Sequence, residues 1–185
     1  MFRTSLIGAA LVSVAGALAG PSIAFAHITL QDQQAPVAAS YKAVLRVPHG
    51  CNGSATVAIR VRIPEGFTDV KPMPKPGWKL DVTRGTYQKP MNVRGTKVTE
   101  GVSEVDWSGG NLPDAYYDEF VLTGYIGDEA PAGQTMYFPV VQECEKGVNR
   151  WIEIPAAGGH ADHGGHADHG EAGEPAAGLK LLPKR

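Results

Sequence analysis

Residues 56–63 read Thr56-Val57-Ala58-Ile59-Arg60-Val61-Arg62-Ile63, with Val57, Ile59, Val61 and Ile63 on one alternation and Thr56, Ala58, Arg60 and Arg62 on the other. Successive side chains of a strand point to opposite faces, so the pattern predicts a β-strand buried on one side only. Working outward, Tyr41, Ala43, Leu45 and Val47 share a face, with Lys42 and Arg46 opposite. Strand-like runs also fall at 78–82, 102–107, 119–125, 135–141 and 148–154. Pro64-Glu65-Gly66, Pro76-Gly77, Ser108-Gly109-Gly110 and Pro131-Ala132-Gly133 punctuate them as turns. Glycine and proline, 23 and 14 of 185 residues, disfavour long helices. Regularly spaced short strands with no 3.6-residue period predict an all-β, immunoglobulin- or cupredoxin-like two-sheet β-sandwich. That fold class houses adhesins, metal carriers and enzymes alike, so function has to be read from particular side chains.

The first residues read as an address. Arg3 precedes an apolar run from Ser5 to Leu18, Gly20-Pro21 breaks it, and Ala24-Phe25-Ala26 has the small-x-small form of a signal-peptidase site. Residues 1–26 are therefore expected to be a signal peptide removed after Ala26. The apolar core is short for a bilayer span of about 20 residues. The mature chain is expected to be secreted, periplasmic and without a transmembrane anchor. With 17 basic and 19 acidic side chains in 185 residues, the sequence offers no broad basic face for nucleic acid.

Export decides how the two cysteines are read. In an oxidising compartment Cys51 and Cys144 are expected to pair. The bond would close a loop of about 90 residues, worth on the order of 4 kcal/mol through loop-closure entropy. A blue-copper site is disfavoured, because Glu145-Lys146-Gly147-Val148 follows Cys144 and no histidine comes before His160.

The six histidines carry the functional signal. Cleavage after Ala26 makes His27 the N-terminus, where its α-amine and ring Nδ1 can chelate one metal. The amine's ordinary pKa is near 8, so freeing its lone pair at neutral pH costs only about 1 kcal/mol. Two nitrogens in one plane suit Cu(II) better than tetrahedral zinc. His49, in Val47-Pro48-His49-Gly50-Cys51, is either a surface loop residue or a third nitrogen ligand. Trp151 shares a face with Asn149 and Glu153, opposite Val148, Arg150, Ile152 and Ile154. On that polar side it would cover a sheet edge or wall a metal site, whereas Trp78 and Trp107 are expected in the core.

From Ala156 to about Glu174 the composition shifts to glycine, alanine, histidine and acids. Such a stretch cannot bury enough apolar surface to order itself, so the domain is expected over 27–157 and a disordered tail over 158–185. Within that tail, Gly159-His160-Ala161-Asp162-His163-Gly164 is repeated as Gly165-His166-Ala167-Asp168-His169-Gly170. Paired histidines on a flexible chain bind borderline metals weakly and exchangeably.

Several of these segments together resemble the YcnI family. They are Ala26-His27-Ile28-Thr29-Leu30, Tyr41 to Pro48, Ile63-Pro64-Glu65-Gly66, Pro76-Gly77-Trp78, Asp118-Glu119-Phe120, Tyr137 to Gln142 and Arg150-Trp151-Ile152-Glu153. The resemblance spans about residues 26–155 and leaves the tail outside. It implies an exported β-sandwich, found among copper-handling genes, that binds Cu(II) through a mono-histidine brace. The N-terminal histidine would be His27, and the tryptophan beside the metal would be Trp151. The family's glutamate ligand is less clearly placed, because His49-Gly50-Cys51 stands where an acid is expected. Either His49 takes the third position or another acid does, Glu119 or Glu143, and His49 is the preferred choice.

The expected function is thus Cu(II) binding in copper homeostasis, as a carrier, chaperone or buffer exchanging metal with donor and acceptor proteins, with no catalytic residues assigned. Met73, Met91 and Met136 are scattered, which argues against a methionine-rich Cu(I) site. The tail histidines would collect metal for the brace. Two rivals stand beside this reading. A copper-dependent oxidative enzyme would use the amine with His27 and His49, and a structural or adhesive sandwich would carry an incidental N-terminal histidine.

Overall fold

The computed structural model describes residues 27–155 and 174–184. In chain order the strands are β1 (Thr29–Leu30), β2 (Gln34–Pro36), β3 (Ala39–Val47), β4 (Thr56–Arg62), β5 (Phe67–Pro72) and β6 (Lys79–Val93), then β7 (Thr96–Leu112), β8 (Asp118–Ile126), β9 (Thr135–Phe138), β10 (Val140–Cys144), β11 (Val148–Trp151) and β12 (Ala177–Leu182). A four-stranded sheet in the order β1-β3-β8-β5 faces a five-stranded sheet in the order β11-β10-β4-β7-β6. A smaller sheet, β2-β12-β9, completes an immunoglobulin-like sandwich.

From Ile59 to Ile63 the alternation does what its pattern dictates. At the start of β4, by contrast, Thr56 and Ala58 are buried as well and Val57 is half-buried, beside a register shift in the pairing with β7. Ile59 and Val61 are fully buried, and Trp107 on β7 joins them against Leu45, Phe120 and Leu122 of the opposite sheet. Edge-on ring contacts tie the layers together, Trp107 to Phe120 at 5.5 Å and Trp78 to Phe120 at 4.9 Å between centroids. Trp107 is in the core as expected, and Trp78 packs partly buried against it. The disulfide is present: Cys51 and Cys144 join with S–S 2.05 Å and Cα–Cα 6.0 Å. It ties the β3–β4 loop to the end of β10.

Three further expectations are corrected. Ser108-Gly109-Gly110 is not a turn but lies inside β7. Gly109 takes φ +71°, and a Cβ on Gly110 would sit 2.1 Å from the Trp78 ring, so the glycines serve a distorted strand on which the indole rests. The turn falls instead at Arg94-Gly95, both at positive φ, closing the β6–β7 hairpin.

The domain does not end at residue 157, and 158–185 is not one disordered tail. Ala177–Leu182 forms β12, parallel to β2 and antiparallel to β9, with Leu179 and Leu181 in the core. The expectation extends the composition of 156–174 to the C-terminus, whereas the six-residue strand lies beyond that stretch. Burial of two leucines, at about 1.5–3 kcal/mol each, explains why it orders. The histidine repeat lies in 156–173, outside the described residues.

The third correction concerns β11. Its alternation is right but its two faces are exchanged: Trp151 is buried, while Val148, Ile152 and Ile154 are exposed. The indole is larger than any of these aliphatic side chains, and its N–H finds an acceptor inside.

Candidate metal centre

His27 is placed by the residues after it. Ile28 and Leu30 are both buried, and β1 pairs with β3 so that Thr29 lies opposite Arg46. Arg46 in turn lies opposite Glu119 on β8. Residues paired across neighbouring strands share a face, so Thr29, Arg46 and Glu119 form one row across three strands. With His27, Pro48 and Tyr117 they line a pocket of about 410 Å³. Arg46 Nε stands 3.4 Å from Glu119 Oε1 in a half-exposed ion pair. Lys75 Nζ donates to Asp118 Oδ1 at 2.7 Å and to the Glu119 carbonyl at 3.1 Å, which fixes the start of β8.

Behind His27 stands Trp151, with ring centroids 5.3 Å apart and an interplanar angle of 71°. Trp151 Nε1 donates to Gln142 Oε1 at 3.0 Å. Gln142 Nε2 donates to the His49 carbonyl at 2.7 Å and to Thr56 Oγ1 at 2.8 Å. Trp151 thus stands against the His27 ring, and the exposed Tyr117 is among the pocket's lining residues.

The remaining candidates separate. The side chain of His49 is not among the pocket walls. Its ring Nδ1–H donates to the Gly50 carbonyl at 2.5 Å, and the neighbouring Pro48 takes the wall position. Glu143 belongs to another cluster, where its Oε1 accepts from Arg60 Nη1 at 3.1 Å on the outer face of the five-stranded sheet. Glu119 is the candidate acid that shares a pocket with His27. His160, His163, His166 and His169 lie outside the described residues.

Among the described residues, no group of three or more His, Cys, Asp or Glu side chains gathers at metal-holding distances. The pocket contributes two such side chains, His27 and Glu119. A third donor, the α-amine of His27, exists once the Ala26–His27 bond is cut. One imidazole, one carboxylate and one amine fit a borderline divalent cation. A larger pocket of about 600 Å³, lined by residues including Glu65, Gln88, Tyr137 and Ile154, has no histidine in its walls.

Sequence reasoning did not single out Arg46, Tyr117 or Gln142. Arg46 reads as an ordinary outward position of β3, and its place beside His27 comes from pairing with β1 and β8, which is not local. Gln142 carried a usable signal, since a glutamine directly after the apolar run Tyr137–Val141 and before an acid is unusual in a buried strand.

A family model described as "Domain of unknown function (DUF1775)" matches residues 27–181, from His27 into β12. Among solved structures, the chain is similar to an uncharacterized protein from Nocardia farcinica whose crystal structure reveals an immunoglobulin-like fold. That match has a TM-score of 0.57 and 23% identity, and it covers 84% of this chain and 98% of the other. No curated protein matches.

Proposed function

This chain belongs to the DUF1775 family, the YcnI-like domain its motifs suggest, and we propose that its mature form is an exported Cu(II)-binding protein, a carrier or buffer rather than an enzyme. The observation that carries this reading is the pocket shared by His27 and Glu119, with Trp151 set edge-on against the His27 ring. The donors are the α-amine and Nδ1 of His27, with the Glu119 carboxylate as third in place of His49. Cu(II) is cargo here and supplies no bond-making step. Arg46 already occupies the Glu119 carboxylate, and metal binding exchanges that partner. The exchange costs little, because a half-exposed ion pair is worth about 0–1 kcal/mol. Trp151 excludes water from one side of the imidazole and holds the ring's orientation.

The Cys51–Cys144 bond suits an oxidising compartment, and no helix among the described residues is long and apolar enough to cross a membrane. The segment carrying the histidine repeat is tied at both ends. Glu153 N–H donates to the Glu174 carbonyl at 3.0 Å, and Ala176 N–H donates to the Glu153 carbonyl at 2.9 Å. The described residues that flank the repeat are therefore bonded to each other two residues beyond Trp151. We assign its four histidines a collecting role that raises the local metal concentration by tethering.

The test is Cu(II) titration, followed by EPR, of protein beginning at His27. Three partners are compared with it: the same chain with one added N-terminal alanine, Glu119→Gln, and a chain in which a short Gly-Ser bridge replaces 156–173. The first two changes should abolish or weaken a 1:1 nitrogen-rich site, and the third should slow loading while leaving final affinity intact. Equal binding with and without the added alanine would sink the brace. Equal loading rates with and without 156–173 would sink the collecting role.

A further inference from the structure

We infer that Gln142 is a positioning residue of the His27 pocket, whose side-chain amide locks the Trp151 indole edge-on to the His27 ring and takes its own bearing from the disulfide-anchored loop 48–51. Gln142 is only 1% exposed. A buried amide costs several kcal/mol unless its polar atoms are bonded, and here they are used in full. Oε1 accepts from the indole, and both Nε2 hydrogens are given away, to the His49 carbonyl and to Thr56 Oγ1. Because indole N–H can only donate and a backbone carbonyl can only accept, the amide has one orientation that satisfies all three partners. A flipped amide would set N–H against N–H at Trp151 and O against O at His49.

The far end of this clamp is itself immobile. Cys51 is held to Cys144, and Cys51 and Ser54 exchange two backbone hydrogen bonds of 2.9 Å. At Gly50 a Cβ would fall 1.9 Å from the Ser54 carbonyl oxygen, so the loop closes too tightly for a side chain there. Thr56, the other partner of the amide, lies 3.8 Å from Cys144 Sγ and is fully buried. The same loop sets Pro48 into the pocket wall. A continuous path of bonded groups thus runs from the disulfide, through loop 48–51 and Gln142, to Trp151 and the His27 ring. Packing alone would be served as well by methionine or leucine at 142, and a clamp needs the amide.

The affinity part of this inference rests on the proposed Cu(II) site, whereas the orientation part does not. Both are tested on the mature chain with Gln142→Met, by NMR of the metal-free protein and by Cu(II) titration. Hydrogen exchange of the Trp151 indole N–H should rise at least about tenfold, as expected for a buried group that loses its acceptor. The His27 ring-proton shifts, set by the indole's ring current, should move toward those of an exposed histidine. Copper affinity should fall several-fold. Should Gln142→Met fold poorly, Thr56→Val removes one amide partner at constant shape and must move both NMR signals the same way by less. Unchanged indole exchange and His27 shifts in a folded variant would overturn the clamp. Failure of the unaltered protein to bind copper, with the NMR changes as expected, would sink the metal reading alone.

Discussion

The two ends of the sandwich are built differently. At the start of β3, the tip of the β6–β7 hairpin folds back so that Arg94 pairs with Asp69 at 3.5 Å and donates to Ser40 Oγ at 3.0 Å. Its guanidinium also lies 4.6 Å from the centroid of the Tyr125 ring. β12 closes the same end, where the Val37 N–H donates to the Leu182 carbonyl at 3.0 Å. At the far end of β3, six residues and about 20 Å away, Arg46 meets a single carboxylate at the edge of an open pocket. One end spends its polar groups on closure. The other leaves an imidazole and a carboxylate within reach of solvent, and there the proposed metal site lies.

If this division holds, damage to the closed end costs stability and leaves the pocket alone. The largest effect is expected from Leu181→Ala on β12. Deleting a buried leucine side chain should destabilise by about 2–5 kcal/mol, lowering Tm by roughly 10 °C or more, with Cu(II) affinity at the other end unchanged. Calorimetry and titration of the same sample check both halves. A parallel loss of affinity would show that the two ends are not independent. Arg94→Ala comes next. It removes an exposed ion pair and a cation–π contact, together worth about 1–2 kcal/mol, again without effect on the pocket.

The halves of this comparison were unequally legible. β3 and β4 announce themselves through clean alternation, and His27 stands out because Ala24-Phe25-Ala26, with the form of a signal-peptidase site, precedes it. The Cys51–Cys144 pairing follows from the expected compartment and from there being two cysteines. β12 was missed because its meaning depends on partners about forty and about one hundred and forty residues away, which no local pattern reports. Glu119 could not be chosen over His49 for the same reason. The row Thr29–Arg46–Glu119 exists only after β1, β3 and β8 have aligned. Trp151 was recognised but turned to the wrong face, because Val148, Ile152 and Ile154 outnumber it by apolar count while the single indole is the larger group to bury.

The smallest predicted effect sharpens the comparison from outside it. Asp106 lies on the outer face of the five-stranded sheet, in the cluster where Arg60 meets Glu104 at 3.7 Å, Asp106 at 3.8 Å and Glu143 at 3.1 Å. Among the described residues its Oδ1 is buried without a hydrogen-bond partner. Burial is the main reason its carboxyl is pushed above the usual aspartate range; Arg60 opposes the shift, while Glu143 and Asp81 add to it. A carboxyl with a raised folded pKa binds its proton more tightly in the folded state. Its contribution to stability is therefore full below the unfolded value of 3.8 and is lost as pH rises through the folded one. Asp106→Asn removes that ionisation cost, so it should raise Tm on the order of 1–2 °C at pH 7 and leave it unchanged near pH 3. A lower Tm at pH 7 would mean that the Arg60 pair outweighs the burial. In either case Cu(II) affinity should not change, because Asp106 belongs to neither end.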